Sequence, residues 1–223
     1  MNYAIAIDGP AGAGKSTIAK ILAKELELIY VDTGALYRTI GYYVTSKGID
    51  TADTEAVVAA LPALTVELKY VDGVQRVFAN GEDVSDLIRT PAISMAASAV
   101  SAIPAVRAYL LDTQRNIAAT HSVIMDGRDI GTVILPDAKV KIYLSASPES
   151  RARRRYDELQ AKGDPATYEE VLADMIKRDY DDMHREIAPL KQAEDAIPVD
   201  TSGETLEQSV ARMKEIVYKK LAE

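Results

Sequence analysis

Short apolar runs alternate with stretches of helical periodicity along this chain, and the alternation predicts an α/β fold with a mostly parallel sheet. Five runs have the length and composition of buried strands. They cover residues 3–7, 28–31, 122–125, 139–144 and 196–199. Asp8, Asp32 and Asp126 directly follow the first three runs. Because ligands of open α/β sheets bind beyond the carboxyl ends of the strands, we expect these three side chains to face a site.

The middle of the chain departs from this pattern. Residues 64–84 alternate apolar and polar side chains around the turn signals Asp72-Gly73 and Asn80-Gly81. This pattern predicts a small antiparallel sheet inserted into the α/β body. A helical stretch follows over residues 92–119, and Pro104 is expected to kink or restart that helix.

Three further helices are predicted in the C-terminal part. Ser147 and Pro148 are a typical N-cap and first helical residue for an arginine-rich helix. Thr167 and Glu170 have the spacing of a capping box for the next helix, which is expected to end near residue 186. Residues 204–222 have the periodicity of a closing amphipathic helix.

Residues 9–16 read Gly-Pro-Ala-Gly-Ala-Gly-Lys-Ser and fit the phosphate-binding pattern G-x-x-x-x-G-K-[ST] at a strand-to-helix turn. Glycines let backbone N–H groups surround an oxyanion closely, and the helix N-terminus adds partial positive charge. In such loops Lys15 reaches the outer phosphates and Ser16 offers its hydroxyl to a nucleotide-bound Mg²⁺. The motif predicts a nucleoside triphosphate site. The alternative is a glycine turn that only packs strand against helix.

Composition narrows the class of protein. The 223 residues, 48% of them hydrophobic, suffice for one domain with a full core. No signal-peptide pattern precedes the first strand, no apolar run has the length of a membrane span, and cysteine is absent. We therefore expect a cytoplasmic protein without membrane association. The net charge of −8 argues against a general nucleic-acid-binding surface.

Two segments that follow predicted strands carry candidate phosphate ligands. Residues 32–38, Asp-Thr-Gly-Ala-Leu-Tyr-Arg, fit a cradle for a second phosphate-bearing molecule, and they equally fit an ordinary capped helix start. Residues 126–129, Asp-Gly-Arg-Asp, offer two carboxylates and an arginine for a metal shell and a second anion. A turn held by an Asp–Arg pair is the alternative for this segment.

Arginines are concentrated in the predicted helices of residues 148–186. They are Arg151, Arg153, Arg154 and Arg155 in the first helix, and Arg178 and Arg185 with Asp182 in the second. In an acidic protein the first group suggests a local anion site, and a solvated helix face with paired acids is the alternative. The second group has the spacing i, i+4, i+7 and shares one helix face. That face fits either an internal ion pair or a set of donors and acceptors for a sugar and a phosphate.

The remaining chemistry favours phosphoryl transfer. The sequence has no Ser/His/Asp set, no Asn-Lys-x-Asp stretch of guanine-specific switch proteins, and no partner pattern around His121 or His184. It has many phosphate ligands, which phosphoryl transfer needs because its transition state spreads charge over oxygens. An acceptor that is already a phosphate needs no strong general base.

On these residues the chain resembles bacterial-type cytidylate kinases, within the nucleoside monophosphate kinase group of P-loop proteins. The resemblance covers essentially the whole length. Its stretches are residues 8–17, 32–38, 80–84, 88–90, 126–131 and 135–138, and the helix from Arg178 to Arg185 that leads to residues 188–190. The DGRDIGT stretch and the inserted sheet are specific to this family within the group, whereas the phosphate loop is shared with many NTPases.

The resemblance implies ATP-dependent phosphorylation of CMP and dCMP with Mg²⁺, in pyrimidine nucleotide metabolism. It assigns ATP binding to Gly9, Pro10, Ala11, Gly12, Ala13, Gly14, Lys15, Ser16 and Thr17, with Ser16 at the metal and with Arg151 and Arg155 from a lid over ATP. It assigns cytosine to Ser98, Arg107 and Asp129, ribose to Arg178 and Asp182, and the acceptor phosphate to Arg38, Arg128 and Arg185. Asp32, Thr33 and Tyr37 complete the substrate site, and Lys15, Arg128, Arg155 and Arg185 are the catalytic set.

The resemblance also implies one cytidylate kinase domain over residues 1–223. Its parts are a P-loop core with a central parallel sheet flanked by helices (about 1–62, 92–147 and 187–223), an antiparallel-sheet NMP-binding insert (about 63–91) and a helical lid (about 148–186). We expect a monomer that binds ATP and CMP or dCMP. Two alternatives stay open. One is a kinase for UMP or for an alcohol, and an alcohol acceptor would need a carboxylate base beside it. The other is a nucleotide-binding regulatory or scaffold protein without turnover.

Overall fold

The computed structural model describes residues 2–71 and 74–223. Its strands are Ala4–Asp8 (β1), Ile29–Asp32 (β2), Val66–Val71 (β3), Val74–Ala79 (β4), Glu82–Asp83 (β5), Val123–Gly127 (β6), Val140–Ser145 (β7) and Ile197–Asp200 (β8). Its α-helices are Lys15–Glu25 (α1), Thr33–Ser46 (α2), Thr54–Ala60 (α3), Pro91–Ser101 (α4), Pro104–Thr120 (α5), Pro148–Gln160 (α6), Tyr168–His184 (α7) and Leu206–Ala222 (α8). A 3₁₀ turn covers Leu61–Ala63, and a π-helical turn covers Ile130–Ile134. The predicted α/β class is confirmed.

The chain divides into two compact units, and the first comprises residues up to Tyr30 together with Ala118–Glu223. Its sheet has the strand order β2-β6-β1-β7-β8, and β1 pairs in parallel with both β6 and β7. All five predicted sheet strands are confirmed, and each begins one residue later than predicted. Because β1 lies at the centre of the sheet, its side chains from Ile5 to Asp8 are all buried, which explains its unbroken apolar run.

Helices α1 and α8 pack on this sheet. Ile18 and Leu22 of α1 share a buried cluster with Ile5 and Ile7 of β1 and with Met213 of α8. Helix α1 therefore presents an apolar face to the sheet. This contact fixes the orientation of α1 relative to β1. This packing sets the position of the phosphate loop between the two elements.

Helices α6 and α7 form a hairpin with a small core of its own. Ala152 and Leu159 pack against Val171 and Met175. The predicted cap at Ser147 and the predicted capping box of α7 are both confirmed. Helix α7 ends at His184, slightly before the predicted end, because the backbone of Arg185 is extended.

The second unit, Val31–Ile117, contains helices α2 to α5 and the sheet β3-β4-β5. The sheet is antiparallel, as predicted, with Val66 opposite Ala79 and Phe78 opposite Asp83. Asn80 and Gly81, both with positive φ, form the turn between β4 and β5, whereas the predicted turn at residues 72–73 lies outside the described residues. The apolar face of this sheet belongs to a cluster that includes Ile40, Val77 and Leu110.

Helices α4 and α5 are separate helices, as the position of Pro104 predicts. Their axes are bent by 99° at the break. In the described part of the chain no single helix is long and apolar enough to cross a membrane, and α4 with α5 passes that test only as this bent pair.

Candidate active site

The phosphate loop runs from the end of β1 to the first turn of α1. Gly9 has φ +149°, and a Cβ built on it would lie 1.9 Å from the carbonyl oxygen of Leu144 in β7, so only glycine fits there. Gly14 is the N-cap of α1 and has no side-chain cap, whereas Asp32, Thr90 and Thr167 cap α2, α4 and α7 with side-chain oxygens. Among the described residues no side chain caps the first N–H groups of α1, so these groups can donate hydrogen bonds to an anion.

Lys15 is folded back onto the loop that precedes it. Its Nζ donates to the carbonyl oxygen of Pro10 at 2.7 Å, and the side chain is buried. Burial, and next the positive charge of Arg128, lower the pKa of Lys15 from 10.5 to about 7. Asp126 and Asp8 act in the opposite direction without offsetting this effect, and the negative charge of a polyphosphate in the loop would further favour the protonated form.

The side chains of Ser16 and Asp126 are joined by a hydrogen bond. Ser16 Oγ donates to Oδ2 of Asp126 at 2.8 Å, and the hydroxyl of Tyr30 donates to Oδ1 of the same carboxylate at 2.8 Å. No group of three or more His, Cys, Asp or Glu side chains suited to a metal occurs among residues 2–71 and 74–223. The oxygen donors of Ser16 and Asp126 nevertheless fit Mg²⁺, which takes few protein ligands and completes its shell with phosphates and water.

A cavity of about 360 Å³ opens beside the phosphate loop. Its lining includes the loop residues Gly12, Ala13, Gly14, Lys15, Ser16 and Thr17, the helix α6 residues Arg151, Arg154, Arg155 and Glu158, and Thr201, Glu204 and Ser209. The structure therefore brings most of the residues predicted for ATP binding to one cavity. Gly9, Pro10 and Ala11 do not line it, and the carbonyls of Pro10 and Ala11 accept from Lys15 and Arg151.

The arginines of α6 have different environments. Arg151 is buried and donates to the carbonyls of Ala146 and Ala11 and to the carboxylate of Asp179 in α7. It thus joins the phosphate loop to the helical hairpin. Arg153 is exposed and pairs with Asp157, which is the solvated-face alternative for that residue.

The other two arginines of α6 line the cavity with part of their donors engaged. Arg154 donates to the carbonyl of Thr201 at 2.8 Å, and Arg155 pairs with Glu158 at 3.1 Å. Arg155 and Glu158 are three residues apart on one helix and are partly exposed. Arg155 can therefore exchange Glu158 for a bound anion at little cost in free energy.

A second group of charges lies where β6 and α7 end. Arg128 Nε donates to Oδ2 of Asp182 at 2.8 Å, and Arg185 lies 3.6 Å from Asp129. Burial would raise the pKa of Asp182, but Arg128, Arg178 and Arg185 outweigh it and hold that pKa below its ordinary value. Five predicted substrate residues are therefore gathered in one cluster. In this structure they contact one another as ion pairs, which is the alternative that the sequence left open.

Asp8 holds the backbone turn that carries this cluster. Its two carboxylate oxygens accept from the consecutive N–H groups of Ile130 and Gly131, each at 2.7 Å. These N–H groups belong to the first turn of the π-helical segment, where intrahelical acceptors are lacking. Burial raises the pKa of Asp8 to about 6, against the lowering effect of the two hydrogen bonds. Asp8 thus ties β1 to the segment that follows β6.

In the second unit, Asp32 is both a helix cap and an ion-pair partner. Its carboxylate accepts from the N–H of Ala35 at 2.9 Å and from Arg38 Nη2 at 2.7 Å, and Arg89 lies 3.8 Å away. Burial would raise the pKa of Asp32, but Arg38 and next Arg89 outweigh it and lower that pKa. The capped helix start expected as the alternative is therefore present, and two arginines gather at it. Thr33 is the buried first residue of this helix, α2.

The predicted base-reading residues of the same unit meet at the junction of α4 and α5. Arg107 is buried, donates to the carbonyl of Ser101 at 3.3 Å, and lies over the ring of Tyr37 with 5.6 Å to its centroid. Ser101 Oγ in turn donates to the carbonyl of Ser98 at 2.8 Å. Arg107, Tyr37 and Ser98 are therefore joined through one short chain of contacts.

Sequence reasoning gave no role to four residues that the structure places in these clusters: Tyr30, Asp179, Arg89 and, beyond its position at a strand end, Asp8. A tyrosine in a buried strand needs a partner for its hydroxyl, and this was the available signal for Tyr30. The other partners are far apart along the chain and leave no local signal.

Comparisons with known proteins agree over nearly the whole chain. The family model described as cytidylate kinase matches residues 5–219. The cytidylate kinase of Lactobacillus gasseri is 49% identical over 216 residues, which are 97% of this chain and 94% of that protein. The cytidylate kinase of Carboxydothermus hydrogenoformans is 50% identical over 216 residues, 97% of each protein. An uncharacterized protein from Eubacterium ventriosum, with a TM-score of 0.50, 12% identity and coverage of 96% and 97%, shares the fold alone.

Proposed function

This chain belongs to the cytidylate kinase family, and from that membership we propose how its residues divide the work of phosphoryl transfer. The protein is a nucleoside monophosphate kinase that transfers the terminal phosphoryl group of ATP to CMP and dCMP. The products are CDP or dCDP, and ADP. The reaction belongs to pyrimidine nucleotide metabolism.

ATP binds in the cavity beside the phosphate loop. Residues 9–17 surround its phosphates with N–H groups, and Lys15 turns from the Pro10 carbonyl to the outer phosphates. Arg151 fixes the loop backbone, and Arg155 exchanges Glu158 for phosphate oxygens. Ser16 and Asp126 hold Mg²⁺, which neutralises charge on the phosphates when it is bound.

CMP is bound through its three parts. Asp129 accepts from the exocyclic amine of cytosine while Arg107 and Ser98 serve the ring acceptors, in the manner in which carboxylates and arginines read base edges. Arg178 and Asp182 hold the ribose. Arg38, Arg128 and Arg185 bind the acceptor phosphate, with Asp32, Thr33 and Tyr37 supporting Arg38 and the base.

Catalysis in this scheme is electrostatic. Lys15, Arg128, Arg155 and Arg185 stabilise the charge that spreads over the transferred group, and the attacking oxygen already belongs to a phosphate. No side chain has to remove a proton from a hydroxyl.

The helical hairpin of residues 148–186 acts as a lid, and the insert of residues 63–91 serves the monophosphate. Closure of the lid over both nucleotides excludes water, which otherwise competes as acceptor. We expect slow ATP hydrolysis in the absence of CMP. The protein acts as a cytoplasmic monomer, and light scattering of the purified protein at several concentrations tests the oligomeric state.

The observation that carries the proposal is the joint presence of an uncapped α1 at the phosphate loop and the cluster of Arg128, Asp129, Asp182 and Arg185. The test is an ADP-release assay with ATP, Mg²⁺ and CMP, dCMP, UMP or AMP. Rapid turnover of CMP and dCMP supports the assignment. Equal rates with CMP and UMP would contradict the base-reading roles, and nucleotide binding without ADP release would favour a regulatory protein.

A further inference from the structure

Tyr30 lies in β2, beside the strand that carries Asp126. Its side chain is buried, and its hydroxyl donates to Oδ1 of Asp126 at 2.8 Å. The second oxygen of the same carboxylate accepts from Ser16 Oγ, also at 2.8 Å. Asp126 is therefore held from both sides by hydroxyl groups that come from different elements.

The two hydroxyls have different consequences. Ser16 belongs to the phosphate loop, and its oxygen is a ligand for the nucleotide-bound ion in the proposed function. Tyr30 is two strand positions before the end of β2, and its ring packs in the apolar cluster of α1 and α8. Lys20 of α1 lies over the ring, 5.5 Å from its centroid, so the ring is fixed from the helix side as well.

A rigid ring makes the Tyr30 hydroxyl a fixed point. Carboxylates near a metal are oriented by hydrogen bonds from outside the ligand shell, and the loss of such a bond weakens metal binding. The bond from Tyr30 engages Oδ1, and this leaves Oδ2 facing Ser16. We propose that Tyr30 is a positioning residue, whose hydroxyl orients the Asp126 carboxylate toward the Ser16 side of the Mg²⁺–ATP site. This inference rests on the proposed function.

The test compares ATP binding with and without Mg²⁺. Calorimetry on the full-length protein gives the Kd of ATP in EDTA and in excess Mg²⁺. The ratio of the Kd in EDTA to the Kd in Mg²⁺ measures what the ion contributes. Tyr30→Phe removes one hydroxyl and retains the ring. We expect this variant to lower the ratio about tenfold, mainly through weaker binding in Mg²⁺, while the Kd in EDTA stays within about twofold.

Tyr43→Phe is the matched control. Tyr43 is equally buried, and its hydroxyl donates to the carbonyl of Ala63, far from the phosphate loop along the chain. This variant should lose some thermal stability and keep the parental ratio. Tyr30→Met, which fills the strand position without a hydroxyl, serves as a second variant with the same expectation as Tyr30→Phe. Melting temperatures of all variants show whether they are folded.

A double-mutant cycle separates positioning from packing. In an Asp126→Ala background the Tyr30 hydroxyl has nothing to orient, so adding Tyr30→Phe should leave the ratio unchanged. A parental ratio in Tyr30→Phe, or an equal loss in the presence and absence of Asp126, would overturn the inference. If the unmodified protein phosphorylates CMP and binds ATP more tightly in Mg²⁺, either of these results overturns only the role of Tyr30. If the unmodified protein does neither, the proposed function fails as well.

Discussion

Arg151 and Asp179 form a buried ion pair between helices α6 and α7, with Nη2 at 2.5 Å from Oδ2. The same guanidinium group donates to the carbonyl of Ala11 in the phosphate loop at 2.9 Å. One side chain therefore joins the hairpin of α6 and α7 to the phosphate loop. Removal of the Asp179 carboxylate should therefore affect both the hairpin and the phosphate loop.

Asp179→Ala should lower the free energy of unfolding by about 3 kcal/mol, because it leaves the charge of Arg151 buried without its partner. Urea denaturation followed by circular dichroism measures this change. Asp181→Ala is the control, since Asp181 pairs with Lys177 on an exposed helix face and should cost about 0.5 kcal/mol or less. Similar losses of unfolding free energy in the two variants would show that the buried pair stabilises the protein no more than an exposed pair does.

Nucleotide binding should be coupled to proton uptake at Lys15. With a pKa of about 7 in the free protein, Lys15 is mostly neutral at pH 8, and bound phosphates raise its pKa. ATP binding should therefore take up roughly one proton per ATP at pH 8. Calorimetry in buffers of different ionisation enthalpy measures this number. Lys15→Arg stays charged and should remove most of the uptake, and equal uptake in both proteins would contradict the assignment.

Arg128→Ala should affect turnover far more than ATP binding. Its guanidinium group is held toward the acceptor cluster by Asp182, and its loss removes charge stabilisation from the transferred group. We expect kcat with CMP to fall about 100-fold or more while KM for ATP changes by less than about threefold. Steady-state kinetics provide both values. Arg153→Ala, on the exposed face of α6, should behave like the parent.

The Arg128 prediction has a clear contrary result. A variant that is folded by circular dichroism and retains near-parental kcat would remove Arg128 from the catalytic set. Arg128→Lys keeps a charge without the fork of donors and should be intermediate.

Asp129→Ala should chiefly reduce discrimination between CMP and UMP. Asp129 is buried beside Arg185, and a carboxylate accepts from the exocyclic amine that cytosine has and uracil lacks. The ratio of kcat/KM for CMP over UMP should fall about tenfold or more. Competition assays with both nucleotides give this ratio. The exposed Asp137, eight positions further, supplies the control variant Asp137→Ala, which should keep the parental ratio.

The sheet could be predicted from the sequence because parallel strands buried on both faces leave continuous apolar runs. The run Ile5-Ala6-Ile7 is the clearest case, since β1 has a parallel neighbour on each side. The insert was equally visible, because an antiparallel sheet with one buried face alternates, as Val66 and Leu68 do in β3. Helix starts were found where a side chain caps the helix, as at Thr167.

The site was less accessible to sequence reasoning. The π-helical turn after Asp129 has no pattern of its own, because its first N–H groups are satisfied by Asp8, more than a hundred residues earlier. Similarly, the four arginines of α6 look alike along the chain. Only the packing of α6 against α7 makes Arg151 buried and leaves Arg153 in solvent.

Codon 9 of the gene for this protein can change only to another glycine codon. Any missense change there adds a Cβ to Gly9, and that atom would fall 1.9 Å from a backbone oxygen of β7 that cannot rotate away. In a population of sequences under selection for the fold, this codon should accumulate synonymous changes alone.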